Sequence, residues 1–351
     1  MIEGVMMRSP HAFSVVVRRR SGELVVREEP MLDLRKGVRA WPLVRGVMAL
    51  GEALKLGSRA LRFSAEIYER DLEEEETAAK AKAPSLLSVL SLPIIALLTN
   101  EPELPAKSPE KDRGKSLMTL VSVLFAVGLF IALPQATAYL LSSQAGWDLD
   151  VRSSSFQALT GAAKLLIVVG YMLLIRRVPE IYRVFQYHGA EHKSIYTYES
   201  GESLTVENAR RKTTLHPRCG TTFIVMVALV SIFVFSAIGP LLPQFGLSRA
   251  ADNVLFFLLK LPFLPLIAAV TFELQRLLAR FATKGPLRVL LWPGFLVQKI
   301  TTIEPDEKQL EVALGALAVT LGKEQGRARE ETAERKYPSY SELLAEAVPS
   351  R

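Results

Sequence analysis

Four stretches of this chain stay apolar long enough to cross a lipid bilayer as helices, and that restricts the fold more than any other feature. They cover 117–141, 156–175, 221–243 and 254–274, against the roughly 20 residues that a spanning helix needs. The first and third contain no charged residue, which helices of a soluble core seldom manage. A length of 351 residues would otherwise suggest two soluble domains, but the 49% apolar content is gathered into these blocks. The fold class expected is therefore mainly α, a polytopic membrane protein. It combines four transmembrane helices with cytoplasmic amphipathic helices and a small N-terminal β-hairpin. A fifth apolar run, LLSVLSLPIIALL at 86–98, is too short to span and holds Pro93, so it reads as interfacial or re-entrant. The first residues lack the layout of a secretory signal peptide.

Orientation follows from basic residues near the spans. The segments after the second and fourth spans are rich in Lys and Arg, whereas 142–155 and 244–253 hold only Arg152 and Arg249. Both termini and the 176–218 loop are thus expected in the cytoplasm. The net charge of +7 fits a bilayer with anionic headgroups as partner, and no nucleic-acid-binding motif accompanies it. Cys219 is the single cysteine, so no internal disulfide forms, in keeping with a reducing compartment. A homo-oligomer is compatible with the sequence and not required by it.

Five regions emerge. Residues 1–72 begin with two β-rich runs, AFSVVVRRR and ELVVREE, joined at Ser21-Gly22 as a hairpin. A basic amphipathic helix follows from Pro42 to about Arg70, its stripe made by Leu43, Val47, Leu50, Leu54, Gly57, Leu61 and Tyr68. Residues 73–115 read as a charged, Pro-rich linker around the 86–98 segment. The four-span domain occupies 116–281. Interfacial and C-terminal amphipathic helices fill 282–323, the last starting at Asp306 with Leu310, Leu314, Leu317 and Leu321 inward. The remainder, 324–351, reads as a flexible tail.

Most candidate chemistry lies in the 176–218 loop, which contains YHGAEHKS. On a helix His188 and His192 stand at i and i+4 on one face and can share a metal ion. Glu191 lies between them, placed to act as general base, the H-x-x-E-H order of inverted zincins. Zinc, or another divalent transition metal, wants a third protein ligand and an open position. His216, Cys219 and Glu273 are the candidates for it. If His188, His192, His216 and Cys219 all bound, the site would be closed and structural. Glu273 has a competing role as ion-pair partner of Arg276. Thr205 reads as an N-cap, and Arg210, Arg211 and Arg218 as ligands for lipid phosphate or an anionic substrate, or as basic residues that only anchor the loop inside.

The phrases IEGVMMRSP, RVFQYHGAEHKSIYTYE, LTVENARRKTTLHPRCGTTF and TTIEPDEKQLEVALGAL resemble the YqhQ-like family of bacterial membrane proteins, from Ile2 to about Leu321. The family is of unknown function, its members labelled predicted metal-dependent enzymes. The resemblance implies a bacterial cytoplasmic (inner) membrane location. Its polar signature falls on His188, Glu191, His192, His216, Arg218 and Cys219, with Glu3 and Arg8 near the start. The leading expectation is a membrane-embedded zinc-type hydrolase, with peptide bonds the commonest target of such a motif. The alternative is a non-catalytic scaffold or assembly factor with a structural metal site; a transporter ranks third, for lack of an inverted repeat.

Overall fold

The computed structural model describes residues 1–31, 37–78, 120–121, 124–125, 128–147, 149–243, 245–246, 249–281, 285–325 and 333–347. The chain is mainly helical, with one small antiparallel sheet. Strands β1 (Gly4–Arg8), β2 (Ala12–Arg18) and β3 (Leu24–Pro30) follow one another at the start. The β2–β3 hairpin is the expected one, with Arg18 opposite Leu24 and Gly22 at a φ of 97° in the turn. A left-handed residue there suits glycine, which has no Cβ to clash. The uninterrupted VVV of β2 is explained by burial on both faces. Phe13, Val15, Val17 and Val25 pack against one helix, while Val16, Leu24 and Val26 face another core with Val5 and Met7.

The first of those helices is α1 (Val44–Ala78). Leu56, Ala60, Phe63 and Ile67 form its buried face against the sheet. The expected stripe lies elsewhere: Val47 and Leu54 are exposed, because contact with the sheet selects a face rotated from the one with the most leucines. The helix also runs on into the acidic stretch assigned to a linker from residue 73. Glu and Ala are strong helix formers, and Asp71 and Glu74 are held by Arg19 at 2.6 and 2.7 Å. The 86–98 segment lies outside the described residues.

The second helix is α10 (Glu307–Glu324), which starts where expected. Asp306 accepts from the Gln309 N–H and Gln309 accepts from Asp306 N–H, a capping box. Leu310, Leu314 and Leu317 are buried, and Ser14 bonds the Ala316 carbonyl and Thr320 across the sheet. The tail differs from expectation. Residues Ala333–Tyr337 form β4 on the free edge of β3, and Tyr340–Ala347 form α11. Leu343 of α11, 1% exposed, packs on α10 at Gly315. Tyr337, Leu343, Tyr340 and Ala347 fasten this segment, in a spacing that shows no single periodicity.

Between these parts run α2 (Leu133–Gln144, preceded by a π-helical turn at Gly128–Ala132), α3 (Ser154–Ile175), α4 (Pro179–Glu199), α5 (Val206–Arg210), α6 (Gly220–Ile238), α7 (Arg249–Lys260), α8 (Phe263–Phe281) and α9 (Trp292–Thr301). Ser153 caps α3 by accepting from the Phe156 N–H, and Thr205 caps α5 as expected. Among the described residues two helices are long and apolar enough to cross a membrane, α3 and the 220–241 stretch that holds α6. The count is three if 254–260 and 263–281, bent by 41°, form one span. The expected span at 117–141 lies partly outside the described residues. Helices α3 and α6 pack antiparallel, with Gly161 tight against Ile232 and Ser154 Oγ donating to the Ser236 carbonyl at 2.6 Å. The 176–219 connection is therefore at one end of this pair, with the sheet and α10.

Leu343→Ala should cost about 2–5 kcal/mol by leaving a cavity on α10, whereas Ser341→Ala, on the exposed side, should stay within about 0.5 kcal/mol. Thermal unfolding of the purified protein in detergent checks both.

Candidate metal centre

The loop expected at 176–218 is largely helical. Pro179 opens α4, where a missing N–H costs nothing, and the helix carries His188, His192 and Tyr196 along one side. The chain entering α10 crosses α4 at Gly189. Ile303 N–H donates to the Phe185 carbonyl at 3.0 Å, and a Cβ on residue 189 would collide with the Ile303 carbonyl oxygen. Only glycine permits that approach.

The crossing brings backbone acceptors to the histidines. His188 Nδ1–H donates to the Thr301 carbonyl at 2.9 Å, and His192 Nδ1–H donates to the Thr214 carbonyl. A carbonyl only accepts, so each Nδ1 holds the proton and each Nε2 keeps its lone pair. Metal-binding imidazoles are oriented in this way. Cys219 supplies the third group. It is the N-cap residue of α6, where the helix dipole favours a negative ligand, and its Sγ lies 3.2 Å from His188 Nε2 and 3.1 Å from Thr221 Oγ1. One ligand atom from each of His188, His192 and Cys219 lies within 4.8 Å of the others. Tetrahedral zinc, with bonds of 2.0–2.3 Å, would set them about 3.5 Å apart. The donor set and spacing thus fit a divalent transition metal, after shifts within reach of side-chain rotation.

His216 stands beside this trio but outside it. Its ring centroid is 5.7 Å from that of His192, and its Nε2 faces Glu199 Oε2 at 3.5 Å. Its backbone is held by Gln298, which is fully buried. The side-chain oxygen accepts from His216 N–H at 2.7 Å, and the amide donates to the His216 carbonyl at 2.8 Å and to Thr222 at 2.6 Å. Burial pushes the His216 pKa down to about 4, partly opposed by Glu199. Burial also lowers His188 and raises Glu191, with the charge attraction between the two working the other way. The Glu191 carboxyl makes no hydrogen bond among the described residues and is not one of the three converging groups.

Other expected site residues are placed elsewhere. Glu273 pairs with Arg45: α1 lies along α8, with Gly46 against Ala269 and Phe272, and delivers the guanidinium to both Glu273 oxygens, one at 2.6 Å. The three arginines assigned to anions are each engaged, Arg210 with Glu307, Arg211 with Glu207 and Asn208, and Arg218 with Glu199. An anion would have to displace a carboxylate at each. The supporting residues Thr214, Glu199, Gln298 and Thr301 went unread in the sequence. Only Gln298 carried a signal, a lone amide in the apolar stretch FLVQKI.

A family profile described as a protein of unknown function (DUF1385) matches residues 41–323. The uncharacterized protein YqhQ of Bacillus subtilis (strain 168) is 31% identical over 320 residues, which cover 89% of this chain and 88% of that protein. No solved structure matches.

Metal analysis of the purified protein should find about one zinc per chain, retained by His216→Ala and Glu273→Gln and lost by His188→Ala and Cys219→Ser. A second expectation concerns the metal-free protein. The unfolded chain protonates His216 near its ordinary pKa of 6.5, while the folded chain refuses that proton until about 4. Stability therefore falls as the pH drops through this window, and His216→Gln should flatten part of the decline in a pH series of melting curves.

Proposed function

The chain belongs to this family of unknown function, and from that premise we propose that it is a multi-pass protein of the bacterial cytoplasmic membrane whose cytoplasmic face carries a zinc-type hydrolase centre. Four spans with both termini inside suit the distribution of Lys and Arg. Leu166 and Phe233 are 73% and 75% exposed on helices α3 and α6, a surface that suits lipid and not water.

The observation that carries the hydrolase reading is that three ligands converge while the fourth candidate is held away. His188, His192 and Cys219 each bring one ligand atom within 4.8 Å of the others, and the Nε2 of His216 faces Glu199 Oε2 at 3.5 Å. Three protein ligands with one position left open is the arrangement of catalytic rather than structural zinc. His188, His192 and Cys219 would hold a divalent ion there, which would supply Lewis-acid polarisation and make water more acidic. The Thr301 and Thr214 carbonyls hold the imidazoles with Nε2 inward. Glu191, with its carboxyl pKa raised by burial, takes the proton of the attacking water and returns it to the leaving group. An amide bond of a peptide is the first substrate to test.

A second reading has its own support, the closeness of His216 to His192. If His216 leaves Glu199 for the ion, the site closes and the protein is a scaffold or assembly factor stabilised by metal.

Glu191→Gln separates these. Measured on mixed fluorogenic peptides with zinc-loaded protein, it should keep its metal and lose about 100-fold or more in rate. Full activity in Glu191→Gln would remove it as base. Loss of zinc in His216→Ala would favour the closed site.

A further inference from the structure

A second polar cluster lies in the other half of the helical bundle, away from the histidines. Lys164 is near the middle of α3, so both helix ends are about 15 Å away along the axis. Its side chain is too short to bring the ammonium to either end. Lys260 closes α7 at the bend before α8. Both lysines line one cavity of about 120 Å³, together with Gln135, Gln157, Thr160 and Ser231.

Three polar side chains of this wall are satisfied from within the protein. Thr160 donates to the Phe156 carbonyl and Ser231 to the Ala228 carbonyl, while the Gln157 amide donates to the Val151 carbonyl. The two ammonium groups differ. Lys260 gives one of its three donors to Gln157 Oε1 at 2.6 Å and lies over the rings of Phe256 and Phe235, at 4.3 and 5.0 Å. Lys164 donates no hydrogen bond, and neither lysine meets a carboxylate, among the described residues. Arg152 adds a third cation on the Phe256 ring at 5.5 Å. Ring faces offset part of an ammonium's desolvation, but two cations sharing a small cavity without an anion cost too much to be mere packing. Nor do they set orientation, since Lys164 lies near mid-helix and Lys260 bonds Gln157 in the first turn of α3, away from the basic 176–219 segment.

We propose that this cavity binds one phosphate-type oxyanion, either the phosphate of an anionic phospholipid headgroup or free phosphate. Lys164 and Lys260 are its ligands, with the Thr160 and Ser231 hydroxyl groups beside them. The volume is large enough to admit a phosphate group. The remaining wall, which includes Phe257, Leu261 and Leu264, is apolar enough to accept the glycerol and first methylenes of a lipid. The inference rests on α3 and α6 being membrane-spanning. It is independent of the metal centre.

The test uses the full chain in detergent, with equal amounts of phosphatidylglycerol and phosphatidylcholine, followed by native mass spectrometry and melting curves. One phosphatidylglycerol per chain should be retained, with a raised melting temperature. Replacing both Lys164→Gln and Lys260→Gln should weaken retention about 10- to 100-fold, while Lys→Arg at both sites keeps it. Stabilisation by millimolar inorganic phosphate that needs the same lysines, without lipid retention, makes the free ion the ligand. Equal retention of the two lipids with no effect of phosphate overturns the proposal, as does phosphatidylglycerol retention that survives loss of both lysines. The comparison of lipids on the unmodified chain decides the matter if a variant fails to fold. Zinc content, read on the same samples, reports on the metal centre separately.

Discussion

The close crossing of residues 301–303 over α4 at Gly189 is the contact on which the rest of the structure depends. It gives His188 its carbonyl acceptor, and with it the tautomer that leaves Nε2 available. It also ends α9 and launches α10 from a fixed point, so Gln298 reaches the backbone of His216 on one side and Asp306 caps α10 on the other. A methyl group at residue 189 would separate the two segments and loosen both ends at once. A glycine inside an exposed helix is ordinarily a cost of about 1 kcal/mol. Here the tertiary contact more than offsets it.

Around that crossing, charged pairs tie the sheet to the helices that carry the site. Glu3 accepts from Arg183 and from the Tyr187 hydroxyl, and the buried Lys193 donates to the Arg210 carbonyl and pairs with Glu304. Tyr187 and Lys193 flank the histidines on α4. Truncating Glu304 leaves the buried Lys193 ammonium without its carboxylate, which costs more than the pair contributes. The ligand geometry is thereby coupled to the first residues of the chain and to the approach to α10, far apart in sequence.

Local signals in the sequence were reliable where a few adjacent residues settle the outcome. The Ser21-Gly22 turn, the Thr205 and Asp306 caps and the i, i+4 histidines all belong to this class, and Cys219 joined them because it was the one thiol within reach. Signals failed where the partner is distant. Glu273 carried an acidic group at the right sequence distance, but Arg45 reaches it from a helix more than 200 residues earlier. The arginines of α5 and its surroundings looked available because Glu307 and Glu199 could not be placed beside them in advance. The α1 stripe was misread for a related reason: amphipathicity names a set of apolar residues, and only the sheet chooses which of them are covered. The apolar blocks gave the helical bundle, yet the break between Lys260 and Phe263 and the pairing of β4 with β3 depend on packing that no window of residues contains.

The placement of α10 has a consequence for the order of assembly. A ribosome delivers the hairpin before α1, which can cover one of its apolar faces soon afterwards. The other face, with Val16, Leu24 and Val26, waits for Leu310, Leu314 and Leu317, and Ser14 waits for Thr320, 306 positions away. By then all of the apolar helices have left the ribosome. The hairpin is thus completed by a segment made much later, and the histidines reach their final setting only after the strand beside them has waited for the whole helical bundle to be translated.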